Sequence, residues 1–504
     1  MQNVGAAWLM TDLSASPLMV ALVQAATNLP MFFLALPAGA LADIVDRRRL
    51  LLLAQGWMLL VAGALTVVTW MGLITPGLLL LMTFLLGIGF ALNAPAWQAI
   101  TPELVSRNEV PAAIALGAVS MNVARAVGPA LGGAAVAAAG PSAVFLLNAL
   151  SFVGVLAVLE LWRRPVEASV LPAERFIGAI RAGFRYVRYA PALRIIIVRA
   201  LLFVVGGSSL WALLPVVTKA DPTRGATQYG ILLACFGGGA ALGATVLAGV
   251  LQKLTEEQNL IVGTLVLAAA ILGVAWLPYY PLWCLLMLPA GIAWVRVLTA
   301  LNASALAVVP RWVQARALAV YLLAFYGGMA AGSMLWGEVA TRLTPATSLT
   351  VSAVWMIVGL LATARLHLPI GEISDFDPSR HWPDITFPPT MDIERGPVVV
   401  TVEYWIDPAR AVEFVSAIQP LRLARLRGGA VRWDLFQDAS HPGRCVEMFL
   451  VESIVEHLRQ HERVTQADHQ IQEYVQSFHQ RDTPPFVTHL VAGVRGKAPD
   501  QREH

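Results

Sequence analysis

Apolar segments of about twenty residues recur along the first 368 residues, and they constrain the fold more than any other feature. A helix needs about 20 apolar residues to cross the hydrocarbon core of a bilayer. Only 13% of the chain is charged, whereas soluble domains carry about 25%. The sequence therefore predicts an all-α membrane region of twelve helices in two six-helix halves, with a partial first helix and full segments near residues 18–42, 49–72, 77–100, 111–138, 142–162, 195–217, 227–251, 258–277, 281–306, 315–340 and 346–367.

The first segment, MQNVGAAWLMT at residues 1–11, is apolar but too short to span a bilayer. We expect the first helix to be truncated, either by a start codon that is assigned too late or by a shortened gene. In-frame codons upstream should then encode further apolar residues.

Charges in the connecting loops indicate orientation. Arg47, Arg48 and Arg49 follow the second segment at once, and the gap 163–194 holds seven arginines against two glutamates. The intervening turns are uncharged. Alternating basic loops place these loops, the gap and the end of the chain in the cytoplasm. Part of the gap has the apolar face of an amphipathic helix on the inner leaflet. The net charge of +3 therefore reflects topology, and no nucleic-acid partner is predicted.

The stretch PAGALADIVDRRR, residues 37–49, contains a spaced motif. It resembles the G-x-x-x-D-R/K-x-G-R-R/K signature between the second and third helices of the major facilitator superfamily. It departs from that signature at Ile44 and at Asp46, where a basic residue and a glycine are usual. The resemblance implies a conformational latch at the inner helix ends, and an ordinary stop-transfer cluster is the alternative. A glycine here would let a neighbouring helix approach closely. The motif positions are Gly39, Asp43, Asp46, Arg47 and Arg48.

The fifth segment contains the sequence NVARAVGPALGG. Small residues four apart allow close helix contact, and a proline permits a kink. The block resembles the loose glycine- and proline-rich fifth-helix motif of superfamily exporters that exchange substrate for protons, and a packing role alone is the alternative. Its positions are Asn122, Arg125, Gly128, Pro129, Gly132 and Gly133.

Polar side chains within the segments are candidates for a substrate pathway. A charge at the bilayer centre costs about 2.5–3.5 kcal/mol on insertion scales and therefore faces a cavity or a partner. Arg125 and Arg296 are the two such arginines, and the alternative is a buried, paired arginine. No carboxylate lies plainly at mid-membrane, so the proton carrier stays unassigned. The remaining pathway candidates are Gln24, Asn28, Asn93 and Asn302.

A change of composition after Leu368 predicts a linker and then a soluble domain. Strands at 397–405, 430–436, 445–451 and 486–491, with helices at 408–426 and 454–479, give the order β-α-β-β-α-β of a ferredoxin-like fold. The domain resembles small antibiotic-biosynthesis-monooxygenase domains, which pair through their sheets. His457 and His461 lie one helical turn apart, with His441, His469 and Trp433 nearby in sequence. Without a clear third ligand, we predict no metal and no cofactor.

The chain as a whole resembles the transmembrane secretion effectors, an exporter branch of the major facilitator superfamily that includes the enterobactin exporter. The resemblance implies a multi-pass protein of the bacterial inner membrane that exports a siderophore, a drug or another small secreted metabolite by alternating access, driven by protons. A lipid or lysophospholipid flippase and a membrane-tethered monooxygenase are the alternatives. The C-terminal domain would be cytoplasmic and could form a homodimer. The predicted domains are 1–162, a linker 163–194, 195–368, a linker 369–396, and 397–504.

Overall fold

The computed structural model describes residues 1–106, 109–161, 176–245, 254–310, 312–368, 376–377, 379, 381–382 and 395–492. The chain divides into two compact units. The first comprises Met1–Phe176, Ile195–Leu306 and Leu318–Ile370, and the second comprises Ile177–Arg194, Ala307–Ala317 and Gly371–His504.

The first unit is helical. Within the described residues, nine helices are long and apolar enough to cross a membrane by length and composition. Side chains on many helices stay exposed although they are apolar, such as Leu60, Trp70 and Leu161, as expected for a surface in contact with lipid. The helices between residues 2 and 362, of which α7 belongs to the second unit from Ile177 onward, are α1 (Gln2–Leu13), α2 (Pro17–Ile44), α3 (Arg47–Trp70), α4 (Pro76–Leu104), α5 (Val110–Ala139), α6 (Pro141–Leu161), α7 (Phe176–Tyr189), α8 (Pro191–Lys219), α9 (Ala226–Ala244), α10 (Glu256–Trp276), α11 (Tyr280–Ala307), α12 (Gln314–Arg342) and α13 (Pro345–Ala362).

Local sequence explains where these helices begin and end. Thr75 accepts a hydrogen bond from the Leu78 amide at 3.3 Å and so caps α4, and proline at the first helical position has a suitable φ angle. Gly140 ends α5 with φ of 77°, a conformation that favours glycine. The helices α1 to α6 and α8 to α13 correspond to the two predicted groups of six. With 12 residues, α1 is about 18 Å long.

The second unit contains α7 from Ile177 onward and a small α+β domain. A four-stranded antiparallel sheet has the order β2-β3-β1-β4, and one of its faces packs against helices around a core that includes Phe414, Phe449 and Val475. The elements are β1 (Val398–Trp405), a 3-10 turn (Pro408–Arg410), α14 (Ala411–Ala417), α15 (Gln419–Gly428), β2 (Arg432–Gln437), β3 (Arg444–Val451), α16 (Ile454–Arg463), α17 (Gln466–Gln476) and β4 (Phe486–Val491).

Both helical segments of this domain are broken where one continuous helix was predicted. The predicted helix 408–426 is a 3-10 turn and two helices that meet at Ile418. Ile418 is buried in the domain core, whereas Val412 is 86% exposed. The segment 454–479 is interrupted at Thr465, whose side chain caps α17 by accepting a hydrogen bond from the Asp468 amide.

Candidate functional site

The motif of residues 39–48 extends from the last turns of α2 to the first residues of α3. Asp46 is the N-cap of α3 and accepts a hydrogen bond from the Arg49 amide at 2.9 Å, which explains an aspartate where the signature has glycine. A Cβ placed on Gly39 would meet no atom of the described chain within 4 Å, so the expected close helix approach is not seen at this position. Asp43 lies in the last turn of α2, and its side chain is outside the described residues.

Arg48 connects the start of α3 to the end of α6. Its Nε donates to the Leu159 carbonyl oxygen at 2.9 Å. Its second guanidinium nitrogen donates to the Glu160 carbonyl at 2.9 Å and to the Glu160 carboxylate at 3.1 Å. The carbonyls at a helix end have no partner within the helix and carry partial negative charge, so a cation stabilises this end of α6.

A buried ion pair connects helices of the second half, and no local pattern in the sequence indicated it. Arg199 of α8 is 3% exposed. It donates to Glu257 of α10 at 2.5 Å and to the Thr363 carbonyl, just after α13, at 3.0 Å. The same carboxylate accepts from the Leu368 amide at 2.9 Å. In the first half, therefore, Arg48 near the start of the third helix binds the end of the sixth. In the second half the carbonyl that follows the sixth helix is bound by Arg199 of α8, and Glu257, near the start of the third helix, holds that arginine. Gly249 and Lys253, which stand in the second half of the sequence at a place loosely similar to that of the loop motif, lie outside the described residues.

The fifth-helix motif lies where α5 crosses α9. A Cβ added to Gly133 would lie 2.9 Å from the Gly230 Cα, and one added to Gly230 would lie 2.7 Å from the Pro129 carbonyl oxygen. A Cβ on Gly237 would collide with the backbone of Arg125. These two helices belong to different six-helix groups, so the glycines permit direct backbone contact between the halves. Gly132 faces Met1 instead, and Gly128 has more space; the Asn122 side chain is not described.

A second crossing joins α2 and α12. A Cβ on Gly337 would lie 2.5 Å from Ala21, and one on Gly327 would lie 2.7 Å from Phe32. The Leu18 amide donates to Thr341 at 3.1 Å. The halves are also joined by an ion pair between Lys219, at the end of α8, and Asp12, in the last turn of α1. The described contacts between α2 and α12 thus run from the start of α2, at Leu18, to the middle of that helix, at Phe32.

The predicted pathway residues fall into two groups. Arg125 and Asn302 are exposed, and the backbone of Arg125 lies against Gly237 of α9. The side chains of three others are hydrogen-bonded: Asn28 donates to the backbone carbonyl of Gln24 at 2.8 Å, Asn93 accepts from Gln55 at 3.0 Å, and Arg296 donates to Asn259 at 3.3 Å. The structure therefore brings Arg125 to the boundary between the halves.

Aromatic side chains form a cluster in the second half that periodicity did not reveal. The ring centroids of Trp211 and Trp294 are 4.3 Å apart, and Phe236 and Phe203 lie 5.1 Å and 5.3 Å from these two rings, respectively. The residues come from α8, α9 and α11, so only the tertiary fold assembles them.

Histidines meet within the C-terminal domain. The rings of His457 and His461 on α16 have centroids 4.9 Å apart, and His489 on β4 lies 5.0 Å from His457. Burial lowers the pKa of His457 to about 4 and also lowers the pKa of His489. The third neighbour is thus His489, whereas His441 and His469 lie near Asp438 and His381.

Trp433, the remaining residue that the sequence singled out in this domain, belongs to a different group. Its indole donates to the fully buried Glu447 at 2.9 Å. Arg425 and Tyr404 donate to the same carboxylate, each at 3.1 Å. A buried carboxylate needs such partners, so Trp433 is part of a satisfied core network.

Two groups of six membrane helices in one chain are the arrangement of transporters with the major facilitator fold. The chain matches the family described as "Transmembrane secretion effector" over residues 1–497 and belongs to it. It is 28% identical to the enterobactin exporter EntS of Salmonella typhi over 69% of this chain and 82% of that protein. It is 26% identical to the staphyloferrin A transporter of Staphylococcus aureus over 54% and 68% of the two chains.

Solved structures agree on the fold of the membrane unit. A crystal structure of the nucleoside transporter NupG aligns with a TM-score of 0.58 at 13% identity, over 72% of this chain and 96% of that one. A bacterial homolog of the human lysosomal transporter Spinster, in an inward-facing and unoccupied conformation, aligns with a TM-score of 0.56 at 15% identity, over 71% and 92%. The expectation of a multi-pass transporter rather than an enzyme is confirmed by the family and these relatives.

Proposed function

We propose that this protein is a secondary active exporter that moves a siderophore or a chemically similar secreted metabolite across the bacterial inner membrane by alternating access. The observation that carries the proposal is the direct backbone contact of α5 with α9 at Gly133 and Gly230. Such a crossing gives two rigid halves an axis about which to rock around a site near the midplane. The relatives named as exporters of enterobactin and transporters of staphyloferrin support the substrate class.

Arg125 is the residue we assign to the substrate. Both named relatives handle siderophores, and many siderophores expose carboxylate or catecholate oxygens that a guanidinium binds well. An exposed arginine whose backbone lies at the crossing of α5 and α9 suits this role better than Arg296, which is bonded to Asn259.

We propose that protons drive the transport. We also propose that the C-terminal domain lies in the cytoplasm and that the protein forms a dimer through this domain. The arginines at the start of α3 support the orientation through the positive-inside rule. Exposed apolar residues of the domain, such as Val412 and Phe486, support self-association.

Energised inverted membrane vesicles test the transport proposal. Vesicles containing the protein should accumulate a catecholate or carboxylate siderophore when a pH gradient is imposed, and an uncoupler should stop the uptake. Arg125→Ala should abolish uptake, whereas Arg342→Ala, at an exposed helix end, should not. Uptake of lysophospholipid alone would instead identify a flippase, and unchanged uptake in the Arg125 variant would remove that residue from the site.

A further inference from the structure

A group of three histidines in the C-terminal domain has no role in the proposed transport cycle. His457 and His461 lie four residues apart on α16, so their side chains leave the same face of the helix. His489 is contributed by β4, at the edge of the sheet. One ring nitrogen from each residue can be chosen so that all three atoms lie within 4.8 Å of one another.

His457, the histidine between the other two, has the arrangement common in metal-binding histidines, with one ring nitrogen hydrogen-bonded and the other available. Nδ1 of His457 and the side-chain oxygen of Gln460 lie 3.2 Å apart, and an Nδ1–H donated to that oxygen leaves Nε2 with its lone pair. His457 is 1% exposed, and its Nε2 has no hydrogen-bond partner among the described residues. A buried polar atom without a partner is costly. Metal ligation often pairs with such an outer hydrogen bond, because the bond fixes the tautomer of the ligand.

The charges around the cluster permit a cation. The nearby guanidinium of Arg425 is paired with the buried Glu447 at 3.1 Å, so its charge is compensated within the core. Neutral imidazoles are the ligands that bind zinc, cobalt, nickel and copper, and three of them leave a further position for water or another ligand. In a tetrahedral site with metal–nitrogen distances of about 2.0–2.1 Å, ligand nitrogens lie about 3.4 Å apart, and the three nitrogens here already lie within 4.8 Å of one another.

We propose that His457, His461 and His489 form a binding site for one divalent transition-metal ion. The site is independent of the transport pathway in α1 to α13, and the C-terminal domain thereby acquires a ligand of its own. It differs from the sequence-based expectation of no metal because the third ligand comes from a strand some thirty residues further along the chain.

Cobalt binding to the full-length protein in detergent tests this proposal. The chain should be purified with an affinity tag free of histidine, stripped with a chelator and titrated with Co²⁺. We expect one Co²⁺ per chain, with the visible absorption of a four-coordinate ion, and displacement by Zn²⁺. X-ray absorption at the zinc edge should then find three imidazole ligands. Absence of stoichiometric binding, or binding without imidazole ligands, would overturn the proposal.

Single variants locate the ion. His461→Ala and His489→Ala, both at half-buried positions, should each weaken Co²⁺ binding by at least about tenfold, since even outer partners of a ligand are worth 10–100-fold. His441→Ala changes an exposed histidine of the same domain and should bind like the unaltered protein. Gel filtration and thermal melting in the presence of chelator establish that each variant is folded. Equal Co²⁺ affinity in all folded variants would show that the trio only packs against itself.

Discussion

Arg48 holds Glu160 by two hydrogen bonds, one to its backbone carbonyl at 2.9 Å and one to its carboxylate at 3.1 Å. The side chain of Glu160 is 67% exposed, so its carboxylate contributes little, as surface ion pairs do. The carbonyls of the α6 end are the more important partners of the arginine.

This difference predicts unequal effects of two substitutions. Arg48→Ala should lower the free energy of unfolding by about 1–3 kcal/mol, because charged hydrogen bonds to two helix-end carbonyls are lost. Glu160→Gln should lower it by less than about 1 kcal/mol. Thermal melting in detergent measures both. Equal shifts for the two variants would contradict the assignment of the carbonyls as the main partners.

Asp43→Asn tests the latch that the loop motif implies. If Asp43 holds the inner helix ends in one state of the cycle, its neutralisation should slow transport while the Kd for the substrate stays the same. Vesicle uptake gives the rate, and equilibrium binding to the purified protein gives the Kd. Normal uptake by the variant would favour a plain stop-transfer cluster.

Two adjacent glycines of α9 form a matched pair. A Cβ on Gly237 would collide with the Arg125 backbone, whereas one on Gly238 would meet no described atom within 4 Å. Gly237→Ala should therefore destabilise the protein by about 1–3 kcal/mol, as overpacking does, and reduce transport. Gly238→Ala should be neutral or stabilising by up to about 1 kcal/mol, because alanine favours the helix. Similar melting temperatures for the two variants would argue against a tight α5–α9 crossing.

The ion pair of Arg199 and Glu257 predicts non-additive effects. Arg199→Met or Glu257→Leu alone should cost about 3–5 kcal/mol, because each leaves a buried charge without its partner. The double variant should cost less than the sum of the two. Folded yield and thermal melting of the unaltered protein, the two single variants and the double variant complete a double-mutant cycle. Strictly additive costs would show that the two charges do not depend on each other.

Glu456 of α16 is predicted to hold α7 within the second unit. Its carboxylate lies 3.2 Å from Arg185 of α7 and 2.6 Å from Arg463, and the Arg185 side chain is only 14% exposed. Glu456→Gln should increase amide hydrogen exchange in residues 181–189. Glu462→Gln, at an exposed position of the same helix, is the control. Unchanged exchange in the Glu456 variant would mean that packing of Tyr186 alone, whose hydroxyl bonds the Val308 carbonyl, is sufficient.

Much of the fold could be predicted because the relevant signals are local. A segment of about twenty apolar residues predicts a helix whatever surrounds it, and β4 at Phe486–Val491 coincides with the predicted strand. Breaks at Ile418 and Thr465 were missed, because a short helix is set by caps and by packing rather than by composition. Asp46 shows the same limit: the sequence marked it as a departure from a signature, and its role as an N-cap emerged only with the backbone geometry.

The sequence by itself determined the membrane class, the two groups of six helices and the order of strands and helices in the C-terminal domain, since hydropathy and periodicity along the chain are sufficient for these. The tertiary structure decided which residues meet. Glycines 133 and 230 are almost a hundred residues apart in sequence, Arg199 and Glu257 lie on different helices, and His489 joins His457 from another element. Such contacts depend on how helices cross and how strands pair, and no spacing along one chain encodes them directly.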